Sequence, residues 1–258
     1  MKTLLAITTL NQNSYTKKCL NSLKHSDVDT EIWDDYSQED DVESLAKEYN
    51  VKFYPKSSPQ GLTDSWNRIY RRFKESDYDA CFISNNDVLI PLEGLGEMIK
   101  ALKDHPLVVP LSSLKSVSGY NAQSVENYGI RGMNADNPYQ VQSIQDKLLE
   151  LHYSDPYGIL PPFPSDTIIK GPHGLIDISK CIGRFHGFFF GFNRDIFSQE
   201  YDSLHLFDPT YINVGNEDEL SARLTIKPVA VKTAFVFHYK AVTLGSKGNR
   251  NLLERYHE

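Results

Sequence analysis

Residues 80–87 read Ala80-Cys81-Phe82-Ile83-Ser84-Asn85-Asn86-Asp87, a short apolar run that ends in polar side chains. Residues 4–9 and 31–33 are similar runs, and each is also followed by polar residues. Such runs are typical of fully buried parallel strands. Apolar residues at helical spacing occupy the stretches between them. This alternation predicts an α/β fold with a Rossmann-like, mostly parallel sheet flanked by helices.

The same patterns predict the order of elements along the chain. Strands are expected at 4–9, 31–33, 51–54, 80–84 and 107–111, with helices at 15–23, 42–49, 61–73 and 95–102. Residues 112–184 are rich in Gly, Pro, Asn, Ser and Tyr, and they predict an irregular insertion with one helix at 144–152. Order returns with the apolar run 185–192, a helix at 217–224 and a strand at 229–238. No linker is evident, so residues 1–258 are expected to form one domain.

Composition excludes several classes of function. The 27 basic and 34 acidic residues leave a net charge of −7, which disfavours nucleic acid as the main partner. No apolar run approaches the ~18–20 residues of a membrane span, and the first residues indicate a strand rather than a signal peptide. The three cysteines have no metal-ligand spacing, which favours reduced thiols and a cytoplasmic location.

Three polar clusters fall at the carboxyl ends of predicted parallel strands, namely 11–14, 34–37 and 85–87. Ligands bind beyond these ends in open α/β sheets, so topology alone predicts a binding site there. Asp87 offers an acidic oxygen to Mg²⁺ or Mn²⁺, which suits a site completed by a diphosphate. Turns and helix caps are the alternative explanation of each cluster.

Two further features lie in the last quarter of the chain. Glu217, Asp218 and Glu219 open a predicted helix, where acidic residues favour the helix dipole. One of these carboxylates is alternatively a general base. His238 ends an apolar strand and is either a metal ligand or a structural residue.

The order of these motifs resembles family 2 glycosyltransferases of the GT-A fold, especially the rhamnosyltransferase-like branch. The resemblance covers residues 4–111 and 185–243. It is carried by the Asp-Asp-Tyr-Ser motif at 34–37, the Asn-Asn-Asp metal motif at 85–87, Gly61 with Asn67, the stretch 187–197, the segment 207–223 with its Glu-Asp pair, and Phe237-His238.

The resemblance implies an inverting, metal-dependent transfer of a hexosyl or deoxyhexosyl group from a nucleotide-diphospho-sugar to a glycan or glycolipid hydroxyl, as in polysaccharide biosynthesis. UDP is the expected nucleotide, ahead of dTDP or GDP. Asp87 and His238 would bind Mn²⁺ or Mg²⁺, and Glu217 or Asp218 would be the base. Residues 1–111 would form the nucleotide-binding half, 112–184 a possible acceptor region, and 185–258 the acceptor and catalytic-base half. The implied nucleotide-sugar contacts are Thr8, Leu10, Asn11, Asp34, Asp35, Asn67, Asn85 and Asn86.

Some alternatives stay open at the level of sequence. The metal motif has one carboxylate where many members have more, and the base register allows Glu217 or Asp218, with helical register favouring Glu217. The tyrosines of the insertion suit either a sugar acceptor or a dimer contact. A nucleotide-sugar-forming nucleotidyltransferase is disfavoured because Asn11-Gln12-Asn13-Ser14 is not a Gly-rich basic loop. A non-catalytic nucleotide- or glycan-binding domain is the third reading.

Overall fold

A central sheet with flanking helices is seen in the computed structural model, which describes residues 1–113, 122–133, 138–161, 168–172, 174–177 and 181–239. The first half contains β1 Thr3–Thr9, α1 Asn13–Leu23, β2 Asp29–Asp34, α2 Val42–Glu48, β3 Lys52–Tyr54, α3 Leu62–Lys74, β4 Ala80–Asn85, β5 Val88–Leu89, α4 Leu92–Ala101 and β6 Leu107–Ser112. The second half contains α5 Pro138–His152, β7 Tyr157–Ile159, β8 Ile168–Gly171, β9 Gly174–Asp177, β10 Phe189–Asn193, α6 Asn216–Arg223 and β11 Val229–His238.

Within these ranges nine strands form one sheet, in the order β3-β2-β1-β4-β10-β6-β11-β5, and β7 also pairs with β11. Strand β1 pairs in parallel with β2 and with β4, and β2 pairs in parallel with β3. Strand β6 is parallel to β11. The predicted mostly parallel α/β sheet is therefore confirmed. Three strands run against their neighbours, namely β5, β7 and β10.

The direction of β10 matters for the site. It lies between β4 and β6, and its first residue, Phe189, pairs with Ser84 near the end of β4. The backbone N–H of Asn85 donates to the carbonyl of Phe188 at 2.9 Å. Because the two strands are antiparallel, the residues that precede β10 lie at the carboxyl edge of β4. Segment 184–188 thus lies beside the Asn-Asn-Asp motif.

Two apolar clusters cover the two faces of the sheet. Strand β1 is buried at all seven positions, as a central parallel strand must be. Helix α3 buries Trp66, Ile69, Tyr70 and Phe73 in one cluster, whereas α1, α2 and α4 contribute to the other. Burial of each large side chain contributes about 1.5–3 kcal/mol, so these two clusters stabilise the packing of the helices on the sheet. No helix in the described part of the chain is both long and apolar enough to cross a membrane.

The predicted insertion is only partly irregular. Helix α5 begins at Pro138, six residues before the predicted start, and it packs on β11. Gln145 donates to the carbonyl of Thr233 at 2.7 Å and accepts from Phe235 N at 2.8 Å, where the register of β11 shifts. Val141 and Leu148 are also buried. The spacing of these buried residues is helical, and proline suits the first helical position, which explains why the helix begins at Pro138.

Candidate active site

Asp87 and His238 meet at the carboxyl edge of the sheet. Asp87 follows β4 and is 4% exposed, and His238 is the last residue of β11. His238 Nε2 lies 3.3 Å from Asp87 Oδ1. The imidazole stacks on Phe188, with ring centroids 4.7 Å apart. The two residues predicted as metal ligands are therefore brought together by strands that begin about 150 residues apart.

Strand β5 explains this meeting. Its two residues pair antiparallel with the end of β11, so that Val88 is opposite His238. The backbone N–H of Tyr239 donates to the carbonyl of Asp87 at 2.9 Å. Ser113 Oγ also exchanges hydrogen bonds of 3.0 Å with the backbone of His238. The backbone on both sides of the pair is thus held by the protein.

The donor set fits a divalent cation in part. A carboxylate oxygen and an imidazole nitrogen 3.3 Å apart are close enough to share one ion. In the described ranges no group of three or more His, Cys, Asp or Glu side chains could hold a metal. A site with two protein ligands suits Mg²⁺ or Mn²⁺, which commonly takes its remaining ligands from substrate phosphates and water.

Glu217 and Asp218 lie in the first turn of α6 and have different surroundings. Asp218 is 7% exposed and forms an ion pair with Arg184 Nε. Glu217 faces Gly187, whose lack of a side chain allows close approach: a Cβ there would lie 3.5 Å from Glu217 Cβ and 2.5 Å from Trp66 Cη2. One carboxylate is neutralised by a cation, and the other lies beside the segment that leads to Phe188.

This difference bears on proton transfer. Burial, followed by the charge of Asp218, raises the pKa of Glu217, although Arg184 and the N–H groups of residues 187 and 217 oppose the shift. A carboxylate with a raised pKa is a better proton acceptor near neutral pH. The surroundings therefore favour Glu217 over Asp218 as a general base, in agreement with the helical register.

Asp34 is the last residue of β2, Asp35 follows it, and the two carboxylates have different hydrogen-bond partners. Both oxygens of Asp34 accept from Ser37, including a 2.5 Å bond from Ser37 Oγ. Asp35 Oδ1 accepts from Lys56 Nζ at 2.6 Å. Tyr36, which follows them, has φ 69°, a left-handed conformation that is uncommon for a bulky residue and often marks functional sites.

Several predicted nucleotide contacts use their side chains to hold loops. Asn11 Oδ1 accepts from the N–H groups of residues 38 and 39, and Asn86 Nδ2 donates to Thr9, Thr16 and the carbonyl of Asn11. Thr8 Oγ1 donates to the carbonyl of Ser84, and Leu10 is buried. These residues join the ends of β1, β2 and β4. Asn85 is half-buried at the same edge.

Asn67 is also bound within the protein. It is 1% exposed, its Nδ2 donates to the carbonyl of Phe207, and its Oδ1 accepts from the N–H groups of Leu206 and Phe207. All three bonds hold the segment that leads toward α6. The amide is thus engaged with the backbone through both of its polar atoms. A direct contact between Asn67 and a nucleotide stays a prediction.

The variants Asn67→Ala and Asn85→Ala are expected to behave in opposite ways. Asn67→Ala leaves buried backbone groups unpaired, so the free energy of unfolding should fall by about 2–4 kcal/mol. Its nucleotide affinity should stay within about two-fold of wild type once folded. Asn85→Ala should unfold normally and bind nucleotide more weakly. Chemical denaturation measures the stability of each variant, and calorimetric titration measures its nucleotide affinity. Weaker binding by stably folded Asn67→Ala would indicate that Asn67 contacts the nucleotide directly.

Sequence reasoning missed three residues of this region. Lys56 and Arg184 neutralise Asp35 and Asp218, and neither belongs to a recognisable motif. His186 lies near Arg184, Asp218 and His238; burial, then the charge of Arg184, lowers its pKa to about 4. For Lys56 the only sequence signal was a basic residue inside a polar loop, and that signal does not identify a partner.

The tyrosines of the insertion do not gather in the described structure. Tyr139 and Tyr153 are 85% and 86% exposed, whereas Tyr128 packs edge-on against His152. Tyr120, another of these tyrosines, lies outside the described residues. The acceptor role of these side chains stays a prediction.

The fold and the acidic clusters at its carboxyl edge define the class of this protein as the GT-A fold. The chain belongs to glycosyl transferase family 2, because residues 5–169, more than half of its 258 residues, match the family model of that description. No curated protein sequence matches it.

Solved structures agree on the fold. The chain superposes on S. aureus TarS 1-349 with TM-score 0.54 and 13% identity, covering 93% of this chain and 61% of that one. GalNAc-T7 with UDP, GalNAc and Mn²⁺ gives TM-score 0.57 and 14% identity, covering 92% and 44%. The inositol-1-phosphate CTP transferase of T. maritima gives TM-score 0.50 and 10% identity, covering 99% and 96%. The chain thus spans about three fifths of the TarS fragment, and these likenesses show the fold alone.

Proposed function

We propose that this chain transfers a sugar from a nucleotide-diphospho-sugar, with UDP as the nucleotide, to a hydroxyl of a glycan or glycolipid, with inversion at the anomeric carbon. The convergence of Asp87, His238 and Glu217 around segment 184–188 carries the proposal. These residues come from three distant parts of the chain. The family supplies the reaction class, and GalNAc-T7, a structural neighbour, is seen with UDP and Mn²⁺.

Different residues at the carboxyl edge of the sheet would bind the donor and take the acceptor proton. Asp34 and Asp35 would bind the nucleobase or the ribose, and Asp87 with His238 would hold Mn²⁺ or Mg²⁺ against the diphosphate. When bound, that ion supplies charge neutralisation for the leaving nucleoside diphosphate. The cation of Arg184 on Asp218 leaves Glu217 as the carboxylate available to take a proton.

The proposed step is a single displacement. The acceptor hydroxyl oxygen forms a bond to the anomeric carbon while the bond from that carbon to the diphosphate oxygen breaks. The hydroxyl proton passes to Glu217, and the nucleoside diphosphate leaves with the bonding electron pair. Attack opposite to the leaving group inverts the anomeric centre, so no covalent glycosyl–enzyme intermediate is required.

Loop geometry bears on the nucleotidyltransferase alternative, which shares this fold. The loop after β1 would have to offer backbone N–H groups to a triphosphate. Here the N–H of Asn11 donates to Ser37 Oγ at 2.6 Å, and that of Asn13 donates to Asp40 Oδ2 at 3.0 Å. Both groups are already used within the protein, which favours the glycosyltransferase over nucleotide-sugar synthesis.

Product analysis separates the three readings. We expect UDP release from a UDP-sugar in the presence of an acceptor, and no pyrophosphate release from UTP with a sugar 1-phosphate. Thermal unfolding with UDP and Mn²⁺ at about 100 times the dissociation constant should show about 2.7 kcal/mol of stabilisation. Pyrophosphate release would identify a nucleotidyltransferase. Nucleotide stabilisation without turnover, across a panel of UDP-sugars and glycans, would identify a binding domain.

A further inference from the structure

The ammonium group of Lys56 is buried on the nucleotide side of the edge. The Lys56 side chain is 1% exposed. Its Nζ donates to Asp35 Oδ1 at 2.6 Å and to the carbonyl of Gly61 at 2.7 Å, and lies 3.0 Å from Asp64 Oδ2. Two of these contacts are hydrogen bonds, and the third is an ion pair with the Asp64 carboxylate. The ammonium group is therefore held by groups of the protein itself.

Asp35, in contrast, has one carboxylate oxygen, Oδ2, that can accept a hydrogen bond from a ligand. Its Oδ1 is held by Lys56, and its backbone N–H donates to the carbonyl of Thr9 at 2.8 Å. Its Oδ2 has no hydrogen bond within the described residues. Both oxygens of Asp34 are engaged by Ser37. Of the two aspartates, only Asp35 has a carboxylate oxygen that accepts no hydrogen bond from the described part of the chain.

The charge of Asp35 depends on its neighbours. Burial raises its pKa to about 6, the charge and hydrogen bond of Lys56 oppose that shift, and the charges of Asp34 and Asp64 add to it. A buried carboxylate without a cation would take up a proton at neutral pH. A protonated carboxyl has less capacity to accept a hydrogen bond from an N–H donor.

We propose that Lys56 is a positioning residue for nucleobase recognition: it keeps Asp35 ionised and fixes its Oδ1, so that Oδ2 can accept from a base N–H. The inference rests on the proposed function, because it requires a nucleotide at this edge. It assigns nucleotide selectivity to a side chain that does not touch the nucleotide. Bases that present an N–H donor, such as uracil, suit this arrangement.

The test compares UDP binding by Lys56→Met with wild type, by calorimetric titration in Mn²⁺ from about pH 5.5 to pH 8.5, the range in which a group of raised carboxyl pKa titrates. Wild type should lose affinity as the pH falls through about 6, because Asp35 is then protonated. In Lys56→Met this loss should move to higher pH. Affinity at pH 7 should be at least about ten-fold weaker and should partly recover at high pH.

A double-mutant cycle with Asp35→Asn provides a second test if Lys56→Met folds poorly. Asp35→Asn should weaken UDP binding. It should also abolish the loss of UDP affinity at low pH that protonation of Asp35 causes in wild type. The double variant, which buries neither of these two charges, should bind no more weakly than Asp35→Asn alone. Lys47→Met is the matched control, because Lys47 pairs with Glu43 on an exposed face of α2.

The outcomes are distinct. An unchanged pH dependence of UDP affinity in Lys56→Met would overturn the role of Lys56. So would a loss of affinity that is equal at every pH and that adds fully to the loss of Asp35→Asn in the double variant. Either result would leave the proposed function intact. Failure of wild type to bind UDP across the whole range would overturn the proposed donor and this inference together.

Discussion

Glu217→Gln is expected to lower kcat by about 10²–10⁴-fold, the usual contribution of a positioned general base. Glutamine keeps the shape of the side chain but cannot take the proton from the acceptor hydroxyl. UDP affinity and the unfolding midpoint should stay near wild-type values, because the carboxylate of Glu217 forms no ion pair with any of the described residues. Steady-state transfer kinetics with a UDP-sugar, together with UDP titration, measure the two effects separately.

The pH profile adds a second readout. Burial raises the pKa of Glu217. As the pH falls, wild-type kcat should therefore begin to decrease at a pH above the pKa of an ordinary glutamate. The residual activity of Glu217→Gln should lack this limb. Asp218→Asn is the comparison within the site, and it should lose less than about ten-fold once folded, since Asp218 is paired with Arg184. If Asp218→Asn abolished turnover and Glu217→Gln did not, the base would be Asp218.

Asp87→Asn is expected to remove metal-dependent nucleotide binding. The amide oxygen is uncharged and is a weaker ligand for Mn²⁺ or Mg²⁺ than a carboxylate. UDP affinity with Mn²⁺ should fall by about 100-fold, and affinity in chelator should change little. The kcat for transfer should fall at least as far. Titrations with and without Mn²⁺ isolate the metal-dependent part.

Two variants sharpen this test. His238→Phe keeps a ring against Phe188 but removes Nε2, so it should shift the Mn²⁺-dependent affinity in the same direction as Asp87→Asn. Asp146→Asn, on the exposed face of α5, is the charge-matched control and should behave as wild type. Equal UDP affinity in Mn²⁺ and in chelator for the wild-type protein would show that the pair is not a metal site.

The fold followed from local sequence because buried parallel strands leave continuous apolar runs. The runs at 4–9 and 80–84 predicted β1 and β4 within one residue at either end. Their polar ends predicted where the site lies, since the carboxyl ends of parallel strands share one edge. Helix α5 was predicted too short, because its first turns look like part of a Gly- and Asn-rich stretch.

Roles within the site did not follow in the same way. The sequence predicts that Asn11, Asn67 and Asn86 bind nucleotide, and that stays a prediction. In the structure their amides form hydrogen bonds with the backbone or side chains of other loops. An amide can serve a loop or a ligand equally well. Only the position of the acceptor and donor groups around it decides between these uses.

The sequence by itself determined the α/β class, the order of the first strands and helices, the family, and the set of carboxylates from which the chemistry is drawn. These properties depend on neighbours along the chain. The tertiary structure alone decided that Arg184 pairs with Asp218, that Lys56 pairs with Asp35, and that Asn67 binds the backbone at Phe207, 140 residues away. Charge and hydrogen-bonding state depend on burial and on partners in space, and neither is encoded by local spacing.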